Sequence, residues 1–357
     1  VGWTPLIESE RLANRFKVGR LWVKDEARQP TSSLKDRASA VALARAAEEG
    51  AEIVTTASTG NAAAALAGLA ASTGQTVVIF VPEAAPEAKV AQLLAFGALV
   101  MLVDGSYNDA VRLCLESVDR FGWYNRITGI NPYVGEGKKT VALEILEQLG
   151  WEAPDAVFVS VGDGSIIGGV HKGLREARQL GWIDRMPRIY GVQAAGSAYL
   201  AEAWRNGEEV ASKPAIRAAT AADSISADRP LDRVKAMAAV VETGGGWVVV
   251  EDDEILAMVA TVAADCGVFP EPAAAAAFAG VGSVAEGPDT GVPALEESDR
   301  VVVISTGSGL KDVRGVMAGI DKTGAVPIPV GSGPGRLGPD EVAARMNQWI
   351  ENLRKQT

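Results

Sequence analysis

The feature that most constrains this 357-residue chain is a regular alternation of short strand-like runs with Ala-rich helical stretches. The strand-like runs are rich in Val and Ile and occupy residues 53–56, 76–81, 99–103, 156–161, 189–192 and 301–304. Helical patterns follow most of them, at residues 62–72, 87–96, 107–121, 167–180 and 309–319. Such alternation predicts parallel sheets with crossover helices, and continuous apolar runs are typical of strands covered on both faces.

The same alternation predicts two α/β domains, which suits a chain of this length. Residues 44–132 read as a compact βαβαβα block and predict a small domain. We then expect residues 1–43 and 133–357 to form together a larger domain. The Gly-rich stretch 331–338 predicts a linker to an amphipathic C-terminal helix that docks on the body or on a second subunit.

Composition excludes several kinds of site. Cys114 and Cys266 lie in separate apolar stretches, which argues against a disulfide framework or a zinc site and favours a reducing compartment. His171 is the single histidine and falls in a predicted helix, so a His-based metal site or a Ser-His-Asp triad is not expected. No metal is therefore expected.

The charge pattern and hydropathy indicate where the protein works. The net charge of −11 is spread along the chain, which argues against nucleic-acid binding. No apolar stretch reaches membrane-spanning length and no signal-peptide pattern is visible, so we expect a cytoplasmic enzyme. The abrupt start at Val1 suggests that a native N-terminal extension is missing.

Lys35 lies where a polar turn, residues 30–37, runs into an Ala-rich helical stretch. A lysine at the start of a helix is close to the positive end of the helix dipole, which favours the neutral amine. A neutral amine can attack an aldehyde. Most lysines at helix starts are solvated charges, so the interpretation depends on three other segments.

Two of these segments join a strand to a helix and could bind anions. Ser58, Thr59 and Asn61 offer hydroxyl and amide donors at a helix start, which suits a carboxylate or phosphate, although a plain N-cap has the same residues. The second segment has consecutive amides that could cradle one phosphate, and its residues are Gly162, Asp163, Gly164, Ser165 and Ile166. Its glycine spacing does not fit the dinucleotide fingerprint, which makes a nicotinamide reductase a distant alternative.

The third segment begins with Thr306, a hydroxyl residue at the carboxyl end of a strand, where open α/β sheets place their ligands. Ser308 is a possible N-cap of the helix predicted there. Together the segments supply a lysine, a carboxylate-binding turn, a monophosphate loop and a hydroxyl for a ring nitrogen. A pyridoxal 5′-phosphate site needs all four groups.

In this order the motifs resemble those of the fold-type II pyridoxal phosphate enzymes, and within them the threonine synthases and their close relatives. The motifs are G-W-T-P-L at 2–6, K-D-E at 24–26, P-T-S-S-L-K-D-R at 30–37, S-T-G-N-A at 58–62, G-V-F-P-E-P-A at 267–273 and T-G-S-G-L-K-D at 306–312. The resemblance implies a tryptophan synthase β-like α/β fold with two open, twisted, mainly parallel sheets and flanking helices. It also implies a homodimer, with residues 44–132 on the substrate side and the larger domain binding the cofactor.

The resemblance implies a role for each matching residue. Lys35 would hold pyridoxal 5′-phosphate as a Schiff base and would then move protons between substrate carbons. Asn61 would bond the phenolic oxygen of the cofactor, residues 162–166 its phosphate and Thr306 its ring nitrogen. Ser58, Thr59 and Asn61 would surround the carboxylate of a small amino-acid substrate.

Four positions depart from the threonine synthase pattern, and one of them is Ser308, which stands where a histidine is usual. Val134 stands where these enzymes usually have an arginine that helps to hold the substrate phosphate, and Asp163 and Ile166 stand where asparagines are usual. The loss of a bidentate anchor and the added carboxylate would weaken binding of a dianionic substrate. Lys138 or Lys139 could compensate as a point charge.

The leading hypothesis is a threonine synthase-like lyase that converts O-phosphohomoserine and water into threonine and phosphate at Lys35. The alternative is β-elimination or β-replacement on another amino acid, of the threonine/serine dehydratase or diaminopropionate lyase type. A hypothesis from another class is a ligand-binding or regulatory protein that kept the fold and lost the chemistry. The intact Lys35 argues against that hypothesis.

Overall fold

The computed structural model describes residues 1–287, 291–323 and 336–354, in which ten strands and thirteen α-helices form. They follow one another as β1 (Leu6–Glu8), α1 (Glu10–Phe16), β2 (Arg20–Asp25), α2 (Lys35–Glu48), β3 (Ile53–Ala57), α3 (Asn61–Thr73), β4 (Thr76–Pro82), α4 (Glu87–Ala95), β5 (Leu99–Val103), α5 (Tyr107–Phe121), β6 (Tyr124–Asn125), α6 (Tyr133–Gln148), β7 (Ala156–Ser160), α7 (Ser165–Gln179), β8 (Arg188–Ala194), α8 (Tyr199–Asn206), α9 (Arg233–Val241), β9 (Gly246–Val250), α10 (Asp252–Cys266), α11 (Pro272–Glu286), β10 (Arg300–Ser305), α12 (Val313–Thr323) and α13 (Pro339–Arg354).

The strands form two sheets. The six-stranded sheet has the order β1-β2-β10-β7-β8-β9, and only β1 runs antiparallel to its neighbour. The four-stranded sheet has the order β5-β4-β3-β6 and is parallel throughout. These sheets and their flanking helices confirm the predicted fold class. The domain boundaries at residues 44 and 132 stay a prediction, which agrees with the assignment of β3 to β6 to the smaller sheet.

Three strands of the larger sheet, β1, β2 and β9, were absent from the prediction. Strand β2 ends in Lys24 and Asp25, and such charges are unusual in a covered strand. Both side chains are buried, and the Lys24 Nζ donates a hydrogen bond to Glu144 Oε2 at 2.9 Å, which offsets its burial. Strand β9 carries the apolar run that the other covered strands have, so the pattern was present but not used.

The helix predicted for residues 309–319 begins later than expected. Residues Gly309–Lys311 form a 3-10 turn, which the Ser308 Oγ caps by accepting from the Leu310 amide at 3.3 Å. The Gly309 amide donates to the Phe269 carbonyl at 2.8 Å, so this segment is held by a neighbour outside the helix. Helix α12 starts only at Val313.

The C-terminal helix forms as α13, and Met346 and Ile350 on it are exposed. The predicted docking on the body is therefore not seen for these two side chains, and docking on a second subunit stays a prediction. Of the predicted linker 331–338, residues 331–335 lie outside the described residues. Among the described helices, none is long and apolar enough to span a membrane.

Helices α2, α6 and α7 pack with their backbones in close contact, and glycines make this possible. A Cβ on Gly137 of α6 would lie 2.7 Å from the carbonyl carbon of Arg37 on α2. A Cβ on Gly169 of α7 would lie 2.8 Å from the Cβ of Lys138 on α6. Real Cβ atoms do not approach so closely. The three helices therefore hold their polar residues within reach of one cavity.

Candidate active site

A cavity of about 740 Å³ lies where strands β3, β4, β7 and β10 end at their carboxyl termini. All of the predicted site residues line it, and they are Lys35, Ser58, Thr59, Asn61, Lys138, Gly162, Asp163, Gly164, Ser165, Ile166 and Thr306. Residues from both sheets thus meet around one space, as expected for ligand sites at the carboxyl ends of parallel strands.

Backbone pairing holds Lys35 beside Thr306. The Leu34 amide donates to the Thr306 carbonyl at 2.9 Å, and the Ser308 amide donates to the Ser32 carbonyl at 3.1 Å. Lys35 is the first residue of α2, so its position follows directly from this pairing. The turn before it is fixed by Asp36, whose carboxylate accepts from the Thr31 amide at 2.6 Å and from the Thr31 hydroxyl.

The pKa of Lys35 is lowered, and burial is the main cause. The charge of Arg126 lowers it further, while Glu271 and Asp163 act in the opposite direction. The sequence predicts a neutral amine at this position, and the lowered pKa agrees with it. The prediction attributed this to the helix dipole, whereas burial is the larger cause. Among the described residues, the side-chain amine of Lys35 has no hydrogen-bond partner, so it is available to a ligand.

Glu271 is a second buried ionisable residue of the cavity. It belongs to the motif at 267–273, and no role was predicted for it from the sequence. Its amide donates to the Gly307 carbonyl at 3.0 Å, which extends the pairing around Thr306 to a third segment. Asn61 Nδ2 donates to both carboxylate oxygens of Glu271, at 2.9 and 3.1 Å. Burial raises the pKa of Glu271, and the Asn61 bond opposes this. A lone carboxylate in the apolar run 267–279 was the available signal.

The loop between β7 and α7 has the shape of a phosphate cradle. Gly164 has φ +84°, and a Cβ on Gly162 would lie 2.8 Å from the Ile225 Cα. Both positions therefore require glycine. The first-turn amides of α7, at Ser165 and Ile166, have no acceptor within the helix and suit an anion.

Lys138 lies against this cradle. Its side chain is fully buried, and its Nζ donates to the Ser165 Oγ at 2.6 Å. Burial lowers the pKa of Lys138 well below its ordinary value, and the nearby charges of Lys35 and Arg126 add to the effect. Sequence reasoning placed Lys138 toward the substrate, whereas the geometry places it beside the loop predicted to hold the cofactor phosphate.

Asp163 adds a carboxylate to a loop that is predicted to bind a phosphate. Its contacts show which groups hold that carboxylate. Its Oδ1 accepts from the Leu231 amide at 3.3 Å, and its carbonyl accepts from the Asp232 amide at 2.9 Å. Burial raises the pKa of the carboxyl group, and the Leu231 bond opposes this. The loop is thereby tied to the 231–232 segment.

Arg126 lines the cavity, whereas Val134, which stands where threonine synthases usually have an arginine, does not. Val134 is fully buried in an apolar cluster with Ala38 and Ala42 and is not among the residues that line the cavity. Arg126, which sequence reasoning missed, lines the cavity and is itself fully buried. Its only signal was a basic residue shortly before the Asn131-Pro132 dipeptide.

These residues fit pyridoxal 5′-phosphate. The glycine cradle, the first turn of α7 and the Lys138 amine would hold a single phosphate. Lys35 would supply the amine for the aldehyde carbon. The pocket is large enough for the cofactor together with a small amino acid.

Comparison with known proteins indicates the same cofactor. Residues 1–307 match the family described as pyridoxal-phosphate dependent enzyme. The threonine synthase of Methanocaldococcus jannaschii is 36% identical over 313 residues, which cover 87% of this chain and 75% of that protein. The threonine synthase of Methanosarcina acetivorans is 38% identical over 317 residues, 88% of this chain and 76% of that protein.

Among solved structures, the processed form of threonine deaminase isoform 2 from Solanum lycopersicum superimposes with a TM-score of 0.75. It is 24% identical and the match covers 90% of this chain and 83% of that one, which supports the fold alone. The cavity, the family match and the two relatives agree on the cofactor. The chain belongs to the fold-type II pyridoxal-phosphate-dependent enzymes and is a threonine synthase-like lyase.

Proposed function

We propose that the protein converts O-phosphohomoserine and water into threonine and phosphate. The observation that carries this proposal is the convergence of Lys35, the first turn of α3 and the first turn of α7 on one cavity. A lysine and two separate anion-binding helix starts are what an amino-acid substrate and a phosphorylated cofactor together require. The names of the two relatives support the choice of reaction.

Each group of residues around the cavity would have a separate role. Ser58, Thr59 and Asn61 would hold the substrate carboxylate at the start of α3. The α7 cradle would hold the cofactor phosphate, and Thr306 would face the ring nitrogen. When bound, pyridoxal 5′-phosphate supplies an electron sink that stabilises negative charge on substrate carbons. Lys35 would take a proton from one substrate carbon and return it to another, which its lowered pKa favours.

Purified protein incubated with pyridoxal 5′-phosphate and O-phosphohomoserine tests the reaction. We expect phosphate and threonine to form in equal amounts. Lys35→Ala should lose turnover together with the visible absorbance of the lysine-bound cofactor. The reaction proposed here is wrong if no phosphate is released while serine or threonine is consumed.

The second candidate is β-elimination or β-replacement of the threonine/serine dehydratase or diaminopropionate lyase type. It is favoured by the burial of Val134 in an apolar cluster and by the carboxylate of Asp163 at the cavity wall, since neither helps to bind a substrate phosphate. Ammonia and a 2-oxo acid formed from serine or threonine would support it. A parallel incubation with serine or threonine therefore separates the two reactions.

We further propose a homodimer that acts in the cytoplasm, as the family resemblance implies. The exposed apolar residues of α13 are consistent with a second subunit. Sedimentation analysis of the purified chain would test the dimer, and a single species with the mass of one chain would contradict it.

A further inference from the structure

Arg126 has a buried nitrogen without a partner. Its Nε donates to the Ser39 Oγ at 3.0 Å and its Nη1 donates to the Thr128 Oγ1 at 3.2 Å. Its Nη2 is buried and has no hydrogen-bond partner within the described part of the chain. Burial lowers the pKa of Arg126 to about 10, so the group is still a cation at neutral pH. A buried cationic donor without a hydrogen bond destabilises the fold unless a ligand accepts a hydrogen bond from it.

The position of Arg126 puts this donor next to the reacting centre. Ser39 lies one helical turn after Lys35 on α2, so the bond to Ser39 holds the guanidinium beside that lysine. Arg126 lines the cavity together with Thr128 and Tyr107. Its charge is also one of the influences that lower the pKa of Lys35.

Three acidic residues that act on Arg126 or on Lys35 already accept hydrogen bonds from other groups. Asp36 accepts from the amide and the hydroxyl of Thr31, Glu271 accepts from Asn61, and Asp163 accepts from Leu231. Over the described residues, no carboxylate forms an ion pair with Arg126. The anion that would pair with the guanidinium therefore has to come from a ligand.

The two anions already assigned to the cavity have other sites. The cofactor phosphate has the α7 cradle with Lys138, and the substrate carboxylate has the first turn of α3. We propose that Arg126 is a specificity-determining residue that pairs with an acidic group at the end of the substrate side chain, a phosphate or a carboxylate. Its two bonds to Ser39 and Thr128 fix the guanidinium plane, which suits recognition of a flat or tetrahedral acid. This inference rests on the proposed function, because it defines the substrate class of the same site.

The test uses the cofactor-loaded protein and unreactive amino acids, whose binding is followed by the change in visible absorbance. The three probes are L-norvaline, which has no side-chain acid, L-2-aminoadipate, which has a carboxylate, and L-2-amino-5-phosphonopentanoate, which has a phosphonate. We expect an acidic probe to bind about 10- to 100-fold more tightly than norvaline. The better of the two acidic probes identifies the acid.

The decisive quantity is the ratio of the norvaline and acidic-probe dissociation constants in each variant, because general effects on Lys35 cancel in it. Arg126→Gln should bring the ratio close to one. Arg126→Lys keeps the charge but not the fork and should lower the ratio by about fivefold or more. If Arg126→Gln cannot be purified in folded form, Arg126→Lys decides the question.

Lys139→Gln is the matched control, because Lys139 pairs with Glu136 and Glu176 and does not line the cavity. It should leave the ratio unchanged. A wild-type protein without preference, or a preference that survives both Arg126 variants, would overturn the proposal. Phosphate release from O-phosphohomoserine, measured on the wild type, is independent of this ratio, so failure of the proposed reaction and failure of the Arg126 assignment give different results.

Discussion

Gly307 leaves the space that the Glu271 carboxylate occupies beside Asn61. A Cβ at position 307 would lie 2.8 Å from the carboxylate carbon of Glu271. Gly307→Ala should therefore displace Glu271 and break its bonds to Asn61, since the neighbouring backbone is held by the pairing with residues 32–34. We expect cofactor affinity to fall by about tenfold or more, the effect of losing one to two buried polar contacts.

Titration with pyridoxal 5′-phosphate, followed by visible absorbance, measures this effect. Gly135→Ala is a suitable control, because a Cβ there meets nothing within 4 Å. Equal affinity in the two variants would show that Glu271 tolerates the displacement.

Burial of the Lys138 amine should destabilise the cofactor-free protein. Because burial lowers its folded pKa, the unfolded chain binds the extra proton between that pKa and the ordinary 10.5. The stability of the cofactor-free protein should therefore rise with pH over this interval. Lys138→Met removes the buried amine and should raise the free energy of unfolding at pH 7 by about 1–3 kcal/mol.

Denaturant unfolding of both cofactor-free proteins measures the gain, which should disappear above about pH 10.5. The same variant should bind pyridoxal 5′-phosphate more weakly. A variant that is less stable than the wild type at pH 7 would contradict this account.

At the residue scale, sequence reasoning found the groups that belong to recognisable motifs and missed those defined by tertiary contacts. Lys35 and Asn61 each open a helix, and Thr306 directly follows the end of a strand, which are local patterns. Arg126 becomes notable only because Ser39, far away in the chain, holds it beside Lys35. Its chemistry could not be read from its sequence neighbours.

At the scale of elements, the contact between α2 and α6 sets the distance between Lys35 and Lys138. Gly137→Ala would force the two helices apart, because its Cβ would meet the backbone of Arg37. We expect the free energy of unfolding to fall by about 1–3 kcal/mol, as for overpacked cores. Gly135→Ala, in the same helix but in open space, should instead stabilise the protein by up to about 1 kcal/mol.

Denaturant unfolding of the two variants side by side checks the prediction. Similar shifts in both would mean that the contact between the helices can relax. A loss of cofactor affinity in the Gly137 variant alone would show that the helix spacing also controls the site.

The success of the element predictions follows from how each element is stabilised. Strand β5 and helix α5 were predicted with their observed bounds, because each carries its own periodic pattern. Strand β6 has only two residues and exists through its pairing with β3. The start of α12 depends on a contact with Phe269, which no local pattern reveals.

At the scale of the whole molecule, a buried ionic network joins the N-terminal segment to β2, α2 and α6. Arg37 contacts Glu26 at 2.7 Å and Glu144 at 2.6 Å, and Lys24 contacts Glu144 at 2.9 Å. Burial opposes ionisation of Glu144, yet hydrogen bonds from Arg37 and the Trp3 amide lower its pKa to about 2.

Glu144→Gln should lower the free energy of unfolding at neutral pH by about 3–5 kcal/mol, since it removes the carboxylate that pairs with the buried Lys24 and one of the two that pair with the buried Arg37. The folded pKa of about 2 lies below the ordinary 4.5, so the stabilisation is present above about pH 4.5 and is lost as the pH falls toward 2. Unfolding measured from pH 7 to pH 3 should therefore show the two proteins converging.

Glu116→Gln removes one member of an exposed pair with Arg112 and serves as the control, with an expected change below about 0.5 kcal/mol. A gap between wild type and Glu144→Gln that is independent of pH would argue against an ionic origin.

The fold class could be predicted because continuous Val and Ile runs specify covered parallel strands without reference to partners. The order of the strands could not, since residues 300–305 carry no sign that they lie between β2 and β7. The same holds for the site. Each of its motifs is a local sequence pattern, but the order of the strands determines that the motifs lie together around one cavity.

That strand order has a consequence for synthesis on the ribosome. Strand β10 is the last of the described strands, yet it is inserted in the middle of the larger sheet, and the residues after it pair with residues 32–34 and 269–271. A nascent chain that has not yet released β10 has two incomplete half-sheets with open edges, and long-range pairing of this kind is slow to form. We therefore expect the chain to bind the cofactor only after nearly all of its described part has been translated.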